Sequence, residues 1–177
     1  SIIVSAKKEK FKNLIVYAVV NKILNVNKVN APKLLSNHYS DDMIEISDLG
    51  EKSFYDYVIS KKSKLNDYKS LIKIIIKVQK IKVKKYYRLG KFKVKFSKYI
   101  LNNLHKESDL FFDWYLKYFL KKKKISKIKK LLKAELNKIY KKLKFSNNTF
   151  VHRDFHVSNI MVKKKKLGLI DSQDAII

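Results

Sequence analysis

Apolar and polar positions follow two different periods along the chain. Apolar residues that return every three or four positions predict helices over residues 8–25, 65–83, 95–121 and 124–144, with a shorter helix over 53–60. Short apolar runs predict strands at 1–6 and 43–46, and the runs 160–162 and 167–170 flank a lysine turn, as the strands of a hairpin do. A loop rich in tyrosine and lysine is predicted around 86–93. This order of elements predicts an α+β fold whose helices are segregated from a small sheet.

The composition sets limits on the class of protein. A chain of 177 residues that is 46% hydrophobic and 12% aromatic can bury a core, which excludes a disordered or collagen-like protein. No apolar run approaches the roughly 18 residues that a membrane span needs. The absence of cysteine excludes disulfides, zinc-thiolate sites and thiol catalysis, and it fits a reducing cytoplasm, which is the predicted location.

The chain is strongly basic, with 42 Lys and Arg residues against 15 Asp and Glu residues and a net charge of +27. Such a charge is typical of proteins that bind nucleic acid or anionic membranes. Only Arg88 and Arg153 are arginines, however, and arginine makes the bidentate contacts that specific nucleic-acid recognition favours. The lysines are spread along the whole chain, as the codon bias of an AT-rich genome would produce. We therefore expect no specific nucleic-acid partner, although polyanions would be attracted at low salt.

A polar segment near the carboxyl end carries the candidate chemistry. His152, Arg153 and Asp154 are followed by Asn159 and, beyond the predicted hairpin, by Asp171. Phosphoryl transfer from ATP needs a group that orients or deprotonates the attacking hydroxyl, together with hard oxygen ligands for Mg²⁺. Asp154 in a loop can meet the hydroxyl. Because Asn159 begins the first hairpin strand and Asp171 follows the second, their side chains are predicted to converge on one metal ion.

The pattern His-Arg-Asp, four residues, Asn, hairpin and Asp resembles the catalytic loop of protein-kinase-like phosphotransferases. It is closest to the aminoglycoside phosphotransferase and choline kinase superfamily. Within it, residues 150–154 and 170–175 look most like bacterial cell-wall-recycling sugar kinases, which phosphorylate N-acetylmuramate and N-acetylglucosamine at the anomeric hydroxyl, and residues 46–50 and 107–116 agree. The resemblance implies a partial N-terminal sheet lobe and hinge over residues 1–50 and a helical C-terminal lobe with the catalytic-loop hairpin over 51–177.

The same resemblance implies roles for the polar residues near the carboxyl end. Asp154 would be the catalytic base, and Asn159 and Asp171 would bind Mg²⁺. His152 would brace the loop by hydrogen bonding, with Arg153 in support.

Further roles implied by the resemblance concern the nucleotide and the sugar. The backbone of Ser47, Asp48 and Leu49 would hold the adenine edge of ATP. Asp48 is equally well suited to cap a helix. Asp174 would act behind the metal site or on the sugar side.

Several features depart from the family pattern. Ser172 stands where the family has Phe, which is expected to weaken the packing that fixes this loop. The three glycines of the chain form no glycine-rich phosphate loop, and Lys7 and Lys8 are the candidates for the lysine that pairs with the ATP phosphates. Because the chain begins inside an apolar run without Met and ends in another, we expect it to be a piece of a longer protein that lacks both ends.

The expected activity is ATP-dependent phosphorylation of a small-molecule hydroxyl, with an amino sugar as the acceptor. Three alternatives stay open. A kinase for an aminoglycoside, choline or another sugar would share the chemistry. A truncated, inactive kinase would still fold in part. A lysine-rich helical protein that binds nucleic acid belongs to a different class.

Overall fold

The computed structural model describes residues 1–6, 11–144 and 148–177. Within them helices and strands are mixed, as the sequence predicts. The chain forms two compact units, of which the first comprises Ser1–Ser97 and Asn148–Ile177 and the second comprises Lys98–Asn147. These units do not coincide with the predicted division into lobes at residue 50, which stays a prediction.

The first unit contains a three-stranded antiparallel sheet. It consists of β1 (Ile2–Ser5), β2 (Leu34–His38) and β3 (Met43–Ile46), and β3 lies in the centre. Strands β1 and β3 were predicted from their apolar runs, whereas β2 was not. Because β3 is central, its inward side chains Ile44 and Ile46 are buried. The chain leaves the sheet after Ile46 and enters the predicted hinge.

Helix α1 (Phe11–Val26) confirms the helical spacing predicted over residues 8–25, as far as the described residues reach. Its apolar positions place Val19, Val20 and Leu24 in the core, where each is at most 2% exposed. Their spacing of one, four and five positions puts them on one helix face. This face belongs to a core that also contains side chains from other elements of the first unit, among them Phe54, Ile81, Phe150, Ile160 and Leu169.

Two further helices follow the hinge, α2 (Phe54–Ile59) and α3 (Leu65–Gln79). Ser53 caps α2, because its Oγ accepts a hydrogen bond of 3.1 Å from the Asp56 N–H. The cap brings Phe54 into the core, where it is completely buried. Both helices were predicted, although α3 ends before residue 83.

The carboxyl-terminal hairpin was also predicted. Strands β6 (Ile160–Lys163) and β7 (Lys166–Leu169) pair from Ile160 opposite Leu169 to Lys163 opposite Lys166. The two turn residues, Lys164 and Lys165, have φ angles of +49° and +62°. Two consecutive positive φ angles match the twist of a tight two-residue hairpin, although lysine is not a residue that favours them.

The prediction of a loop around residues 86–93 was wrong. Strands β4 (Tyr87–Leu89) and β5 (Phe92–Val94) form a second hairpin there. Gly90 occupies the turn with a φ of +54°. Alternate side chains of both strands pack against the main core, which supplies the burial that such short strands need.

The second unit is helical. It contains α4 (Leu101–Leu110), a π turn (Phe111–Tyr115), α5 (Leu116–Phe119) and α6 (Lys122–Tyr140). The helix predicted over 95–121 therefore begins later and is interrupted. Lys129 and Lys133 of α6 form ion pairs with Asp113 and Asp109. In the described part of the chain, no helix is long and apolar enough to cross a membrane.

Candidate active site

The loop between Val151 and the hairpin is held by backbone hydrogen bonds. At its start, Val151 and Ile176 exchange two of them, each 2.9 Å long. Within the loop, the Asp154 carbonyl accepts hydrogen bonds of 3.1 Å from the His156 N–H and from Asn159 Nδ2. A single 3₁₀ turn that ends at Asn159 leads into β6. The loop therefore places Asp154 next to Asn159.

Asn159 and Asp171 lie side by side. Asn159 Nδ2 donates to Asp171 Oδ2 at 3.4 Å, and the Ile170 N–H donates to the Asn159 carbonyl at 3.0 Å. The second carboxylate oxygen of Asp171 accepts a 2.6 Å hydrogen bond from Gln173 Nε2. Asp171 has a φ of +59°, which is uncommon for a residue other than glycine and turns the chain after β7. The structure thus brings together the two residues predicted to bind metal.

The donor set fits a magnesium ion. Mg²⁺ prefers oxygen ligands and is commonly held by one or two side chains, with water and substrate phosphates in the other positions. Asp171 offers carboxylate oxygens, and rotation of the Asn159 amide would present Oδ1 where Nδ2 now lies. Among residues 1–6, 11–144 and 148–177, no cluster of three or more His, Cys, Asp or Glu could hold a metal. A site built from this pair would therefore depend on the nucleotide phosphates.

The same pair lines a cavity of about 510 Å³ in the first unit. The cavity lies between the sheet, α1, the segment after β3 and the hairpin. Its lining includes Ser47, Leu49 and Gly50 of the segment after β3 together with Asn159 and Asp171. The predicted adenine-binding segment and the predicted metal-binding pair therefore face one space, and most of its wall area is apolar.

The segment after β3 is fixed by its own polar groups. The Ser47 N–H donates to the Lys33 carbonyl at 2.8 Å, and Ser47 Oγ accepts from the Lys33 N–H at 2.8 Å. The Asp48 carboxylate accepts from the Gly50 N–H at 2.7 Å and from Lys163 Nζ at 2.9 Å. The Lys163 hydrogen bond, and then that of Gly50, lower the pKa of Asp48. Asp48 therefore ties the hinge to the hairpin and does not cap α2.

Further backbone contacts join the hairpin to the hinge side of the cavity. The Val162 N–H donates to the Lys52 carbonyl and the Leu169 N–H donates to the Asn30 carbonyl, both at 2.8 Å. Asn30 Nδ2 donates to the Leu167 carbonyl at 3.2 Å. These bonds connect the hairpin that follows Asn159 to the segments on either side of β2 and β3.

Three of the other predicted site residues, Arg153, Asp154 and Asp174, are exposed. The Asp154 side chain is 50% exposed, with Oδ1 at 3.8 Å from His156 Nε2. Arg153 is exposed and has a φ of +73°. Asp174 is exposed in the turn after Gln173. The Asp154 carboxylate is therefore accessible from solvent, and the Asp154 carbonyl accepts the hydrogen bond from Asn159 Nδ2.

His152 is only 2% exposed, and burial is the main reason that its pKa is lowered. The charge of Asp154 and the backbone of Ile170 oppose this shift. Neither ring nitrogen makes a well-formed hydrogen bond with the described residues. His152 is thus buried against the loop and close to the backbone of Ile170, and its predicted role in bracing the loop stays a prediction.

Sequence reasoning missed a polar contact behind Asp171. Ser172 is completely buried, and its Oγ donates a 2.7 Å hydrogen bond to Asn21 Oδ1 on α1. Tyr17, one turn earlier on α1, lines the cavity, and burial raises its pKa. The signal in the sequence was Asn21 itself, a polar residue inside the apolar face of α1. Lys7 and Lys8, the candidates for a phosphate-binding lysine, lie outside the described residues.

Comparison with known proteins places the chain in a family. The model of the phosphotransferase enzyme family matches residues 6–177. The chain belongs to the phosphotransferase enzyme family. The resemblance inferred from the catalytic loop is thereby confirmed, and the protein is related to kinases.

One curated relative of this chain is the N-acetylmuramate/N-acetylglucosamine kinase of Neisseria meningitidis serogroup B. The two are 24% identical over 160 residues, which cover 90% of this chain and 46% of the relative. The chain thus spans about half the length of the curated relative that it matches.

Proposed function

We propose that the protein transfers the γ-phosphoryl group of ATP to a hydroxyl of an amino sugar, with the anomeric hydroxyl as the acceptor. The observation that carries this proposal is the single cavity shared by Ser47, Leu49, Asn159 and Asp171. An apolar space with a few polar groups at one end suits a nucleotide whose base is buried and whose phosphates reach a metal.

The adenine would lie against the hinge. Leu49 lines the cavity, and the hydrogen bonds of Ser47 and Asp48 fix the backbone on which an adenine edge would depend. Because these bonds already use the Ser47 N–H and the Asp48 carboxylate, the base would be held by other backbone groups of the segment. This refines the prediction that residues 47 to 49 contact adenine.

Asn159 and Asp171, which line the same cavity, would hold Mg²⁺. The ion would supply positive charge that neutralises the phosphate oxygens during transfer. Gln173 hydrogen-bonds the Asp171 carboxylate and so holds its orientation when the Asn159 amide has turned to the metal.

Asp154 would accept the proton of the attacking hydroxyl. Its exposure leaves room for a sugar substrate. Backbone hydrogen bonds from the His156 N–H to the Asp154 carbonyl and from the Asn159 N–H to the His156 carbonyl keep it next to the proposed metal pair. An anomeric hydroxyl is more acidic than the other hydroxyls of a sugar, so a carboxylate is a sufficient base. The amino-sugar acceptor is supported by the printed name of the Neisseria relative. The use of ATP also suits the cytoplasm as the location.

The Asp154→Asn variant tests the proposal. We expect turnover with N-acetylglucosamine or N-acetylmuramate to fall by about a hundredfold to ten-thousandfold, because the base is lost, while ATP affinity changes by less than about twofold. ADP release and phosphorus NMR of the product measure these quantities. Glu135→Gln is the matched control, because it makes the same change at an exposed ion pair on α6.

Near-normal turnover of Asp154→Asn would refute the proposed base. Phosphorylation of choline or an aminoglycoside in place of amino sugars would retain the mechanism and replace the acceptor. Steeply salt-dependent binding to nucleic acid without any ATP turnover would favour the nucleic-acid alternative.

A further inference from the structure

A buried hydrogen bond connects α1 to the segment that carries Asp171. Ser172 Oγ donates to Asn21 Oδ1 at 2.7 Å, across 151 positions of the chain. Ser172 is 0% exposed and Asn21 is 2% exposed. Water does not compete for this bond, and its loss would leave a buried polar group without a partner.

The bond lies directly behind the proposed metal site. Ser172 immediately follows Asp171, whose φ of +59° is uncommon for a carboxylate residue. Such a conformation persists only where the surroundings hold it. The turn continues with a 3.3 Å hydrogen bond from the Ala175 N–H to the Ser172 carbonyl. Anchoring Ser172 to α1 therefore determines where the Asp171 carboxylate points.

On α1, the partner of Ser172 is Asn21, a buried polar residue in an otherwise apolar helix face. Asn21 lies among the buried residues Val19, Val20 and Leu24, and its Nδ2 makes no well-formed hydrogen bond with the described residues. Its side chain does interact with the Tyr17 hydroxyl one turn earlier, which partly offsets the raised pKa of Tyr17. An apolar pair of the same shape would fill this position at little cost. A polar pair, by contrast, specifies one relative position of the two segments.

We propose that Asn21 and Ser172 are a positioning pair that holds Asp171 in its metal-binding conformation and thereby sets the affinity for the Mg²⁺–nucleotide complex. This inference rests on the proposed function of Asp171. It assigns no contact with substrate or metal to either residue of the pair. Their effect is transmitted through the backbone between Asp171 and Ser172.

The test compares ATP affinity with and without Mg²⁺ in the full chain, using a fluorescent ATP analogue. We expect Ser172→Ala to reduce the gain in affinity that Mg²⁺ provides by about tenfold, as loss of a supporting contact behind a metal ligand does. Affinity without Mg²⁺ should stay within about twofold. Ser70→Ala is the matched control, because it removes an exposed hydroxyl that bonds only the Asn66 carbonyl within α3.

The double variant Asn21→Leu with Ser172→Ala separates positioning from stability. Replacing both polar partners by apolar groups should bring the midpoint of urea unfolding back towards that of the wild type, because neither member of the pair is left without its partner and only the contact of Asn21 with Tyr17 is lost in addition. The gain in ATP affinity that Mg²⁺ provides should stay as low as in Ser172→Ala. If the double variant instead regains the gain of the wild type, the positioning role is wrong. This variant also decides the question if Ser172→Ala does not fold.

Asp171→Ala distinguishes failure of this inference from failure of the proposed function. If Asp171→Ala leaves the Mg²⁺-dependent gain unchanged, the proposed metal site is wrong, and the pair loses its role with it. If Asp171→Ala removes the gain but Ser172→Ala and the double variant retain it, only the positioning pair is refuted. Loss of the gain in all three variants, with the Ser70→Ala control unchanged, is the expected result.

Discussion

Gly168 lies where the hairpin approaches the hinge most closely. A Cβ atom added at this position would lie 2.6 Å from Leu49 Cδ1 and 2.9 Å from Asn30 Nδ2. Ordinary contacts of a Cβ atom begin near 3.4 Å. Substitution by alanine must therefore displace both neighbours. Leu49 lines the cavity, and Asn30 Nδ2 donates to the Leu167 carbonyl of β7.

The expected cost combines three contributions. Overpacking of a buried contact costs about 1–3 kcal/mol. Loss of the hydrogen bond from Asn30 adds about 1 kcal/mol. Alanine recovers about 0.5–1 kcal/mol relative to glycine inside a strand. We expect Gly168→Ala to lower the free energy of unfolding by about 1–3 kcal/mol. If Leu49 relieves the contact by turning into the cavity, ATP affinity should fall about tenfold, which corresponds to about 1.4 kcal/mol.

Urea unfolding and ATP titration of Gly168→Ala measure these two effects. Gly90→Ala is the control, because its added Cβ would meet nothing within 4 Å and its φ of +54° makes alanine unfavourable for a different reason. The control should lose stability without losing ATP affinity. Gly168→Ala with the stability and ATP affinity of the wild type would refute the close contact. If Gly90→Ala loses as much ATP affinity as Gly168→Ala does, destabilisation alone is responsible for the loss.

Two pH-dependent effects follow from buried or paired groups. Burial lowers the pKa of His152 below its ordinary value of 6.5, so the unfolded chain binds the proton more readily. The contribution of His152 to the free energy of unfolding should be complete above about pH 6.5 and should decrease as the pH falls below that value. An NMR titration that gives the His152 imidazole a pKa at or above 6.5 would contradict this. Hydrogen bonds from Lys163 and Gly50 lower the pKa of Asp48 below 3.8, so its contribution is present above that pH and is lost as the pH falls through the lowered value. We therefore expect Lys163→Met to destabilise the chain at pH 7 and to approach the wild type in urea unfolding at low pH, and a difference that does not depend on pH would contradict the ion pair.

Elements with a strong local pattern were predictable from the sequence. Ser53 and Asp56 mark the start of α2, and the two apolar runs around Lys164 and Lys165 mark the carboxyl-terminal hairpin. Both patterns depend on residues within a few positions of each other. The adjacency of Asn159 and Asp171 follows from the same hairpin, because its strands pair residue for residue.

The missed features depend on distant parts of the chain. Strands β4 and β5 have three residues each, and their burial against the main core cannot be read from so short a pattern. Ser172 was expected to weaken its loop because it replaces the Phe of the family. Its hydrogen-bonding partner Asn21 could not be foreseen, because Asn21 lies on α1, far away in the sequence. Asp48 carries a signal for a helix cap, but Lys163 of the hairpin competes successfully for its carboxylate.

The distance in sequence between Asn21 and Ser172 also affects how the protein is made. The ribosome adds about 5–20 residues per second, so the 151 positions between them take roughly 8–30 s to synthesise. During that time α1 has emerged without the hydrogen-bonding partner that it meets in the finished fold. Until Asp171 and Ser172 have been synthesised, the cavity lacks one of its walls, and apolar side chains of α1 stay accessible to chaperones.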